Sequence, residues 1–345
     1  MTSRERLLCA FHCGTPDRVP VAPFGFGHVN PDSEVGLRLV AETDFIQCVG
    51  GAGSFFGAGL QMTTETDGDR TITVIQTPRG PLRSVRRRTA VTTAQVEFPC
   101  KTADDVEKLL SVPYQPPTID PTHFIRWKDR IGDEGVVLFG FNDAICTPAS
   151  FFSPEDFCLL WAEAPDAFLE LIRVTNERIC EQAEACCRAG IDAFRVIGGE
   201  YASTQLGPQA YASTVTEPDS ELVRVMHDHG ALVYYHNHGP VMRYLELIAQ
   251  IGMDACDCFE APPWGDCDLR AAHAQIGDRV CIVGNLDDME IIDKLPTDQV
   301  LAIAAQRLDE AGPTAFVLGG TASGTYTERG AENFIAMARM VAQRA

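Results

Sequence analysis

The sequence predicts an α/β fold: a (β/α)8 TIM barrel forming one domain over residues 1–345, with an N-terminal helix and a β-hairpin inserted at about 70–98. Three observations carry this expectation. From about residue 100, apolar strand-length runs alternate with helical segments of 10 to 25 residues, which marks βα units and a parallel sheet. Two strands before residue 55 bring the count to about eight. Between them, RTITVIQTPRGPLRSVRRRTAVTTAQVEF is rich in Thr and Val around a Pro-Arg-Gly-Pro turn, a hairpin pattern.

The elements follow in order. Thr2 or Ser3 opens a first helix and Gly14 closes it. DRVPVAPFGF reads as a strand, SEVGLRLVAETD as a helix and DFIQCVGG as a second strand. An open doubly wound sheet is the alternative architecture. Its glycine fingerprint is absent, because GGAGSFFGAG has the wrong context, and that segment reads as a mobile loop. After the hairpin come helices at 102–111 and 121–132, then the buried strand GVVLFGFN. Ser153 with Pro154 opens the next helix, and a long one follows to Gly190. The strands DAFRVIGGE, ALVYYHNHG, MDACDCFEAPP, RVCIVGNLD and AFVLGG then alternate with helices to the end.

Net charge is −20, from 28 Lys+Arg against 48 Asp+Glu, which excludes a general binder of nucleic acid or anionic membrane. No apolar run is long enough to span a bilayer. The start, MTSRERLLCAF, carries charges where a signal peptide would be apolar, and 13 scattered cysteines fit the reducing cytoplasm.

Chemistry in such barrels sits at the C-terminal ends of the strands. There the sequence places Asn142 and Asp143, Glu200 and Tyr201, His236 and His238, Glu260, Asn285 with Asp287 and Asp288, and the run Gly319 to Ser323. His236 and His238 lie two apart and so on one strand face. An extended strand separates such rings by about 7 Å, so both reach one metal ion only where the chain bends. Gly239-Pro240 permits the bend. Glu260 is the third candidate ligand, with Cys258 about one layer deeper in reserve. The plainer alternatives are hydrogen-bonded structural histidines and a salt-bridged glutamate. Glu200 ends an apolar strand, where burial suits a carboxyl to proton transfer or metal ligation. Arg83, Arg86, Arg87 and Arg88 read as a solvated strand face or a docking patch for an acidic partner.

Three segments together, MTSRERLLCAFHCGTPDRVPV, YYHNHGPVMRYLELIAQIGMDA and EAPPWGDCDLRAAHAQIGDRVCIVGNLD, resemble the uroporphyrinogen decarboxylase superfamily over essentially the whole chain. The resemblance implies the barrel and offers two chemistries. True decarboxylases carry N-terminal arginines, an Asp after the second strand and a His after the last. Here those places read APFGFGHVNPDSE, VGGAGSFFGAG and VLGGTASG, with Gly320 where the His is expected. The second branch comprises zinc-dependent methyltransferases working with corrinoid cofactors. Its thiol-activating members use His-x-Cys after the fifth strand and Cys after the eighth. Here His236 matches, His238 replaces the first Cys, and the eighth strand supplies none. EAPPWGD at 260–266 is similar to the EPPxGD of members that act on methoxylated aromatics.

The resemblance therefore implies a methyltransferase passing methyl from a methoxylated aromatic or related small donor to cobalamin on a corrinoid protein. Zinc on His236, His238 and Glu260 would assist. Glu200 or Tyr201 would protonate the leaving oxygen, with Asn142 beside them. Phe24, Phe26, Phe55, Phe56, Phe141 and Trp264, with Asn285, would line the substrate slot, although most of these aromatics read equally well as core. Decarboxylation of a uroporphyrinogen-like acid and a non-catalytic tetrapyrrole-binding barrel remain the alternatives. Superfamily barrels often pair, so a homodimer is an expectation, while the sequence leaves the oligomeric state open.

Overall fold

The structure is a computed structural model that describes residues 1–58, 60–321 and 324–344. Its strands, in chain order, are β1 (Val21–Ala22), β2 (Phe45–Ala52), β3 (Met62–Asp67), β4 (Arg70–Ile75), β5 (Leu82–Arg88), β6 (Thr93–Glu97), β7 (Gly135–Asn142), β8 (Ala193–Ile197), β9 (Leu232–Asn237), β10 (Ala255–Cys258), β11 (Cys281–Asn285) and β12 (Phe316–Gly319).

Eight of them run parallel in the order β1-β12-β11-β10-β9-β8-β7-β2. The two ends of this sheet meet. The Asp44 N–H donates to Val21 O at 2.9 Å, Ile46 N–H to Pro23 O at 3.2 Å, and Gly25 N–H to Ile46 O at 2.7 Å. The sheet thus closes into the expected barrel, with each strand but the first fed by at least one helix. Alternation along the strands sorts the side chains. Ile46, Leu138, Ala193, Tyr234, Ala255, Val283 and Val317 fill the interior. Phe194, Val196, Tyr235, Cys256 and Ile282 point out to the helices. The long helix Pro165–Arg188 meets them with Phe168, Leu171, Ile172, Thr175, Ile179, Ala183 and Cys186, a stripe at three- and four-residue steps.

The first helix, Ser3–Phe11, is opened by a capping box between Thr2 and Glu5. It stoppers the base of the barrel: Leu7, Ala10 and Phe11 join the interior cluster, and the Phe11 ring meets Tyr234 edge-on at 6.0 Å. Asp44, fully buried, ties it down by accepting from Arg6 Nη1 at 2.6 Å, Arg18 Nη1 at 2.7 Å and the Val21 N–H at 2.9 Å. Arg6 also holds Asp17 and keeps that carboxyl well below the usual range.

Two local features differ from expectation. The segment at 70–98, expected to be a hairpin, holds three strands, β4, β5 and β6, of a four-stranded antiparallel sheet, β3-β4-β5-β6, that begins at Met62. All of β3 is exposed, so no apolar alternation announced it. In the same sheet Arg83 pairs with Glu97 and Arg87 with Asp69 across strands. Of the glycine-rich segment expected to be a mobile loop, residues 50–52 belong to β2, Ser54 and Phe55 are held by hydrogen bonds, and Gly59 lies outside the described residues. Gln182 donates from Nε2 to Ser54 O and accepts at Oε1 from its N–H, at 2.7 and 2.9 Å, and Arg178 donates to Phe55 O at 2.8 Å. No helix among the described residues is long and apolar enough to cross a membrane.

Candidate metal centre and active-site cavity

β9 carries LVYYHN, and its inward side chains climb from Leu232 through Tyr234 to His236. His236 stands level with Asp257 on β10 and Ile197 on β8. A carboxylate can only accept, so His236 Nδ1 carries the proton and donates to Asp257 Oδ1 at 2.5 Å. Tyr234 Oη donates to the other oxygen at 2.7 Å. Burial pushes Asp257 up, but His236, Arg195 and Tyr234 outweigh it and the carboxyl stays below its ordinary value.

The strand ends at Asn237, and Gly239 takes φ 84°, a left-handed conformation open to glycine. The bend brings the His238 ring to 4.4 Å from that of His236, centroid to centroid, at 85°. His238 Nδ1 donates to Glu260 Oε1 at 2.8 Å, and the Gly239 N–H donates to Oε2 at 3.1 Å. The Glu260 bond raises the His238 pKa against the opposing effect of burial.

β10 supplies the third group. Regular alternation would turn Cys258 outward with Cys256, but the strand stops there and Phe259 has φ 52°. Cys258 Sγ instead lies 3.6 Å from His236 Nδ1 and 3.8 Å from His238 Nε2, and donates to Thr321 O at 3.1 Å. One donor atom from each of His236, His238 and Cys258 falls within 4.8 Å of the others.

These donors fit zinc. Tetrahedral zinc with Zn–S of about 2.3 Å and Zn–N of about 2.1 Å places sulfur and nitrogen about 3.6 Å apart. The His238–Cys258 edge is 3.8 Å. His238 has a carboxylate on Nδ1, which leaves Nε2 for the ion and fixes the ring, the usual support of a metal-binding histidine. Asp257 holds the His236 ring at Nδ1, the nitrogen 3.6 Å from Cys258 Sγ. Burial first, then Asp257 and Glu260, pushes the Cys258 thiol well above its ordinary value. A dication is the charge that would reverse this.

The EAPPWGD segment now has a physical account. Glu260 grips His238 and Gly239, while Asp266 Oδ1 accepts from the Val241 and Met242 N–H groups at 2.7 and 3.1 Å. Gly265 is required because a Cβ there would sit 2.3 Å from Glu260 O. The two carboxylates clamp the loop that carries the histidines.

Beside this centre, across Ile197, opens a cavity of about 630 Å³ at the ends of β2, β7 and β8. Phe141, Asn142, Tyr201, Phe55 and Phe56 line it. Tyr201 is half-buried, and desolvation lifts its hydroxyl to about 12. Glu200 opens the short helix Glu200–Gln205, and its buried Oε2 has no hydrogen-bond partner among the described residues. Behind the wall, Tyr235 donates to Asp219 Oδ2 at 2.5 Å and Asp143 Oδ2 at 3.1 Å. Burial raises both carboxyls, and Asp143 rises further beside Asp219.

The structure thus brings His236, His238 and Cys258 together, with Glu260 bonded to a ligand's far side. It gathers Asn142, Tyr201 and Phe141 at the cavity. Phe24 lies in the interior against Tyr234, 6.1 Å between centroids. Asn285 is buried, donating to Phe259 O at 2.9 Å, with Oδ1 unpartnered among the described residues. Phe26 packs instead on Phe45 and Trp127 in the outer core, and Trp264 lies on the surface at 45% exposure. Asp287 caps the turn that follows it, accepting from the Met289 and Glu290 N–H groups. Ala322 and Ser323 lie outside the described residues. Sequence reasoning passed over Asp257 and Arg195, although a charge in the middle of an apolar strand is a legible signal.

The sequence matches the family described as uroporphyrinogen decarboxylase (URO-D) over residues 2–344. No curated protein matches the chain. Among solved structures, a methyltransferase from Methanosarcina mazei superposes with a TM-score of 0.67 at 15% identity, covering 99% of each chain. A B12-independent methionine synthase from Shewanella sp. W3-18-1 gives 0.43 at 9% identity, covering 80% of this chain and 77% of that one. The first likeness establishes a shared fold.

Proposed function

The chain belongs to the uroporphyrinogen decarboxylase (URO-D) family, and from that premise we propose that it is a zinc-assisted methyltransferase. It takes methyl from a methoxylated aromatic or related small donor and passes it to a corrinoid carried by a partner protein. His236, His238 and Cys258 hold the zinc; Asp257 and Glu260 orient the imidazoles. Glu260 therefore moves from ligand to supporting carboxylate, because its oxygens are taken up by His238 Nδ1 and the Gly239 N–H.

Zinc, when bound, supplies a Lewis acid that draws electron density from an ether oxygen. The protein's residues do the rest. Phe24 lies beside the ring from the barrel interior, and the Asn142 amide holds a substrate oxygen. Glu200 or Tyr201 gives a proton to the oxygen as the methyl C–O bond breaks and the oxygen keeps the electron pair. Positioning of donor and acceptor in line supplies the larger share of the rate. The absence of arginines after β1 and the net charge of −20 speak against a porphyrinogen polycarboxylate as substrate. Thirteen free thiols fit work in the reducing cytoplasm.

The observation that carries this reading is the 3.8 Å between Cys258 Sγ and a His238 Nε2 whose ring is held from behind. Metal analysis and an anaerobic assay with cob(I)alamin and methoxyarenes test it. The expected result is about one zinc per chain and transfer lost with chelator. Metal-free protein with undiminished transfer, or carbon dioxide release from uroporphyrinogen, overturns it.

A further inference from the structure

Arg195 sits on β8 between Gly140 of β7 and Tyr234 of β9, and shares the inward face of Tyr234. It is the cation of the barrel interior among the described residues, one layer below His236, and it makes no hydrogen bond or ion pair with any of them. Its Nε is fully buried and without an acceptor. Asp257 feels the Arg195 charge but makes no direct bond to it, giving Oδ1 to His236 and Oδ2 to Tyr234. The Phe24 ring backs the guanidinium, 4.5 Å from Cζ to centroid, and so fixes its plane while leaving its edge free. Gly140 has no side chain to fill the space beside it, and Gly140 and Cys48 both line the 630 Å³ cavity. The residue is partly exposed, so a solute reaches it.

An unpaired guanidinium inside a protein is costly, and here 48 acidic side chains are available to pair it. Its planar fork matches a carboxylate two bonds at a time. We infer that Arg195 is the anchor for a carboxylate on the substrate, so that the molecule turned over is a small carboxylic acid held between Arg195 below and the His236–His238–Cys258 centre above. This names the substrate class of the site described under Proposed function and rests on its being the active site.

Calorimetric binding of 4-methoxybenzoate and of 4-methoxybenzamide to the zinc-loaded protein tests it, with Arg195→Met and Arg195→Lys alongside. Wild type should bind the acid about 10- to 100-fold more tightly than the amide. Arg195→Met should lose that preference, retain its zinc and leave amide binding unchanged; Arg195→Lys should restore part of the preference. Equal binding of acid and amide by wild type, or an undiminished acid preference in either variant that folds, overturns the assignment. Acid preference that depends on Arg195 in a protein with no methyl transfer would sustain it while removing the methyl-transfer reading.

Discussion

His238 presents Nε2 to Cys258 Sγ at 3.8 Å and Nδ1 to Glu260 Oε1 at 2.8 Å, so one ring stands between the thiol and the carboxylate. The two neighbours of that ring therefore have unequal parts in metal binding. Cys258→Ala should bring the zinc content close to zero. Glu260→Gln should keep zinc but bind it about 10- to 100-fold more weakly, as expected for a supporting carboxylate. Competition with a chromogenic chelator measures both; the reverse ranking would make Glu260 the ligand.

Glu200 carries a buried oxygen unpartnered among the described residues and precedes Tyr201, which lines the cavity. Glu200→Gln should lower kcat for methyl transfer by about 10²-fold or more with zinc content unchanged, the scale of general acid catalysis. Tyr201→Phe should fall in the same direction if the phenol shares the proton. Single-turnover rates with an assayed donor give the comparison, and an unchanged rate in both variants removes them from the proton path.

Asp44 is the shared counter-ion of Arg6 and Arg18 at the barrel base, with no exposed surface. Asp44→Ala removes the buried acceptor that Arg6 and Arg18 share, leaving Arg6 only Asp17 as counter-ion, and should cost about 3–5 kcal/mol, the penalty of breaking a buried ion pair from one side. Urea titration measures it. A loss below about 1 kcal/mol would mean that the pair is as weak as a surface one.

Asp219 has its carboxyl lifted by burial from 3.8 to about 7. Between those values the native state holds more protons than the unfolded chain, so this group's contribution to stability is present in full below pH 3.8. It is then lost as pH rises through about 7. Asp219→Asn removes that penalty. The variant's Tm relative to wild type should improve by several degrees from pH 5 to pH 8, and a difference constant across that range would contradict the assignment.

The barrel was legible because most of the parallel strands are buried on both faces and read as apolar runs, while the helices between them keep a separate period. The insertion was half legible. β4 and β5 carry Ile and Val, but β3, MTTETD, is exposed throughout and lacks the pattern that burial writes. At the site, His236 and His238 were found by their spacing. Cys258 was placed behind Glu260 because strand alternation was carried past the point where β10 ends and the backbone turns at Phe259. Phe26 and Phe141 belong to one residue type, yet one packs in the outer core and the other lines the cavity, a distinction that composition does not encode.

The plug formed by Ser3–Phe11 fills the base of the barrel, opposite the histidines. Under the proposed reading, whatever settles on Arg195 would leave past the histidines at the rim, on the side from which a methyl acceptor would approach. Such traffic would run in turn, the small molecule first and the carrier second, with the depth of the vessel setting that order.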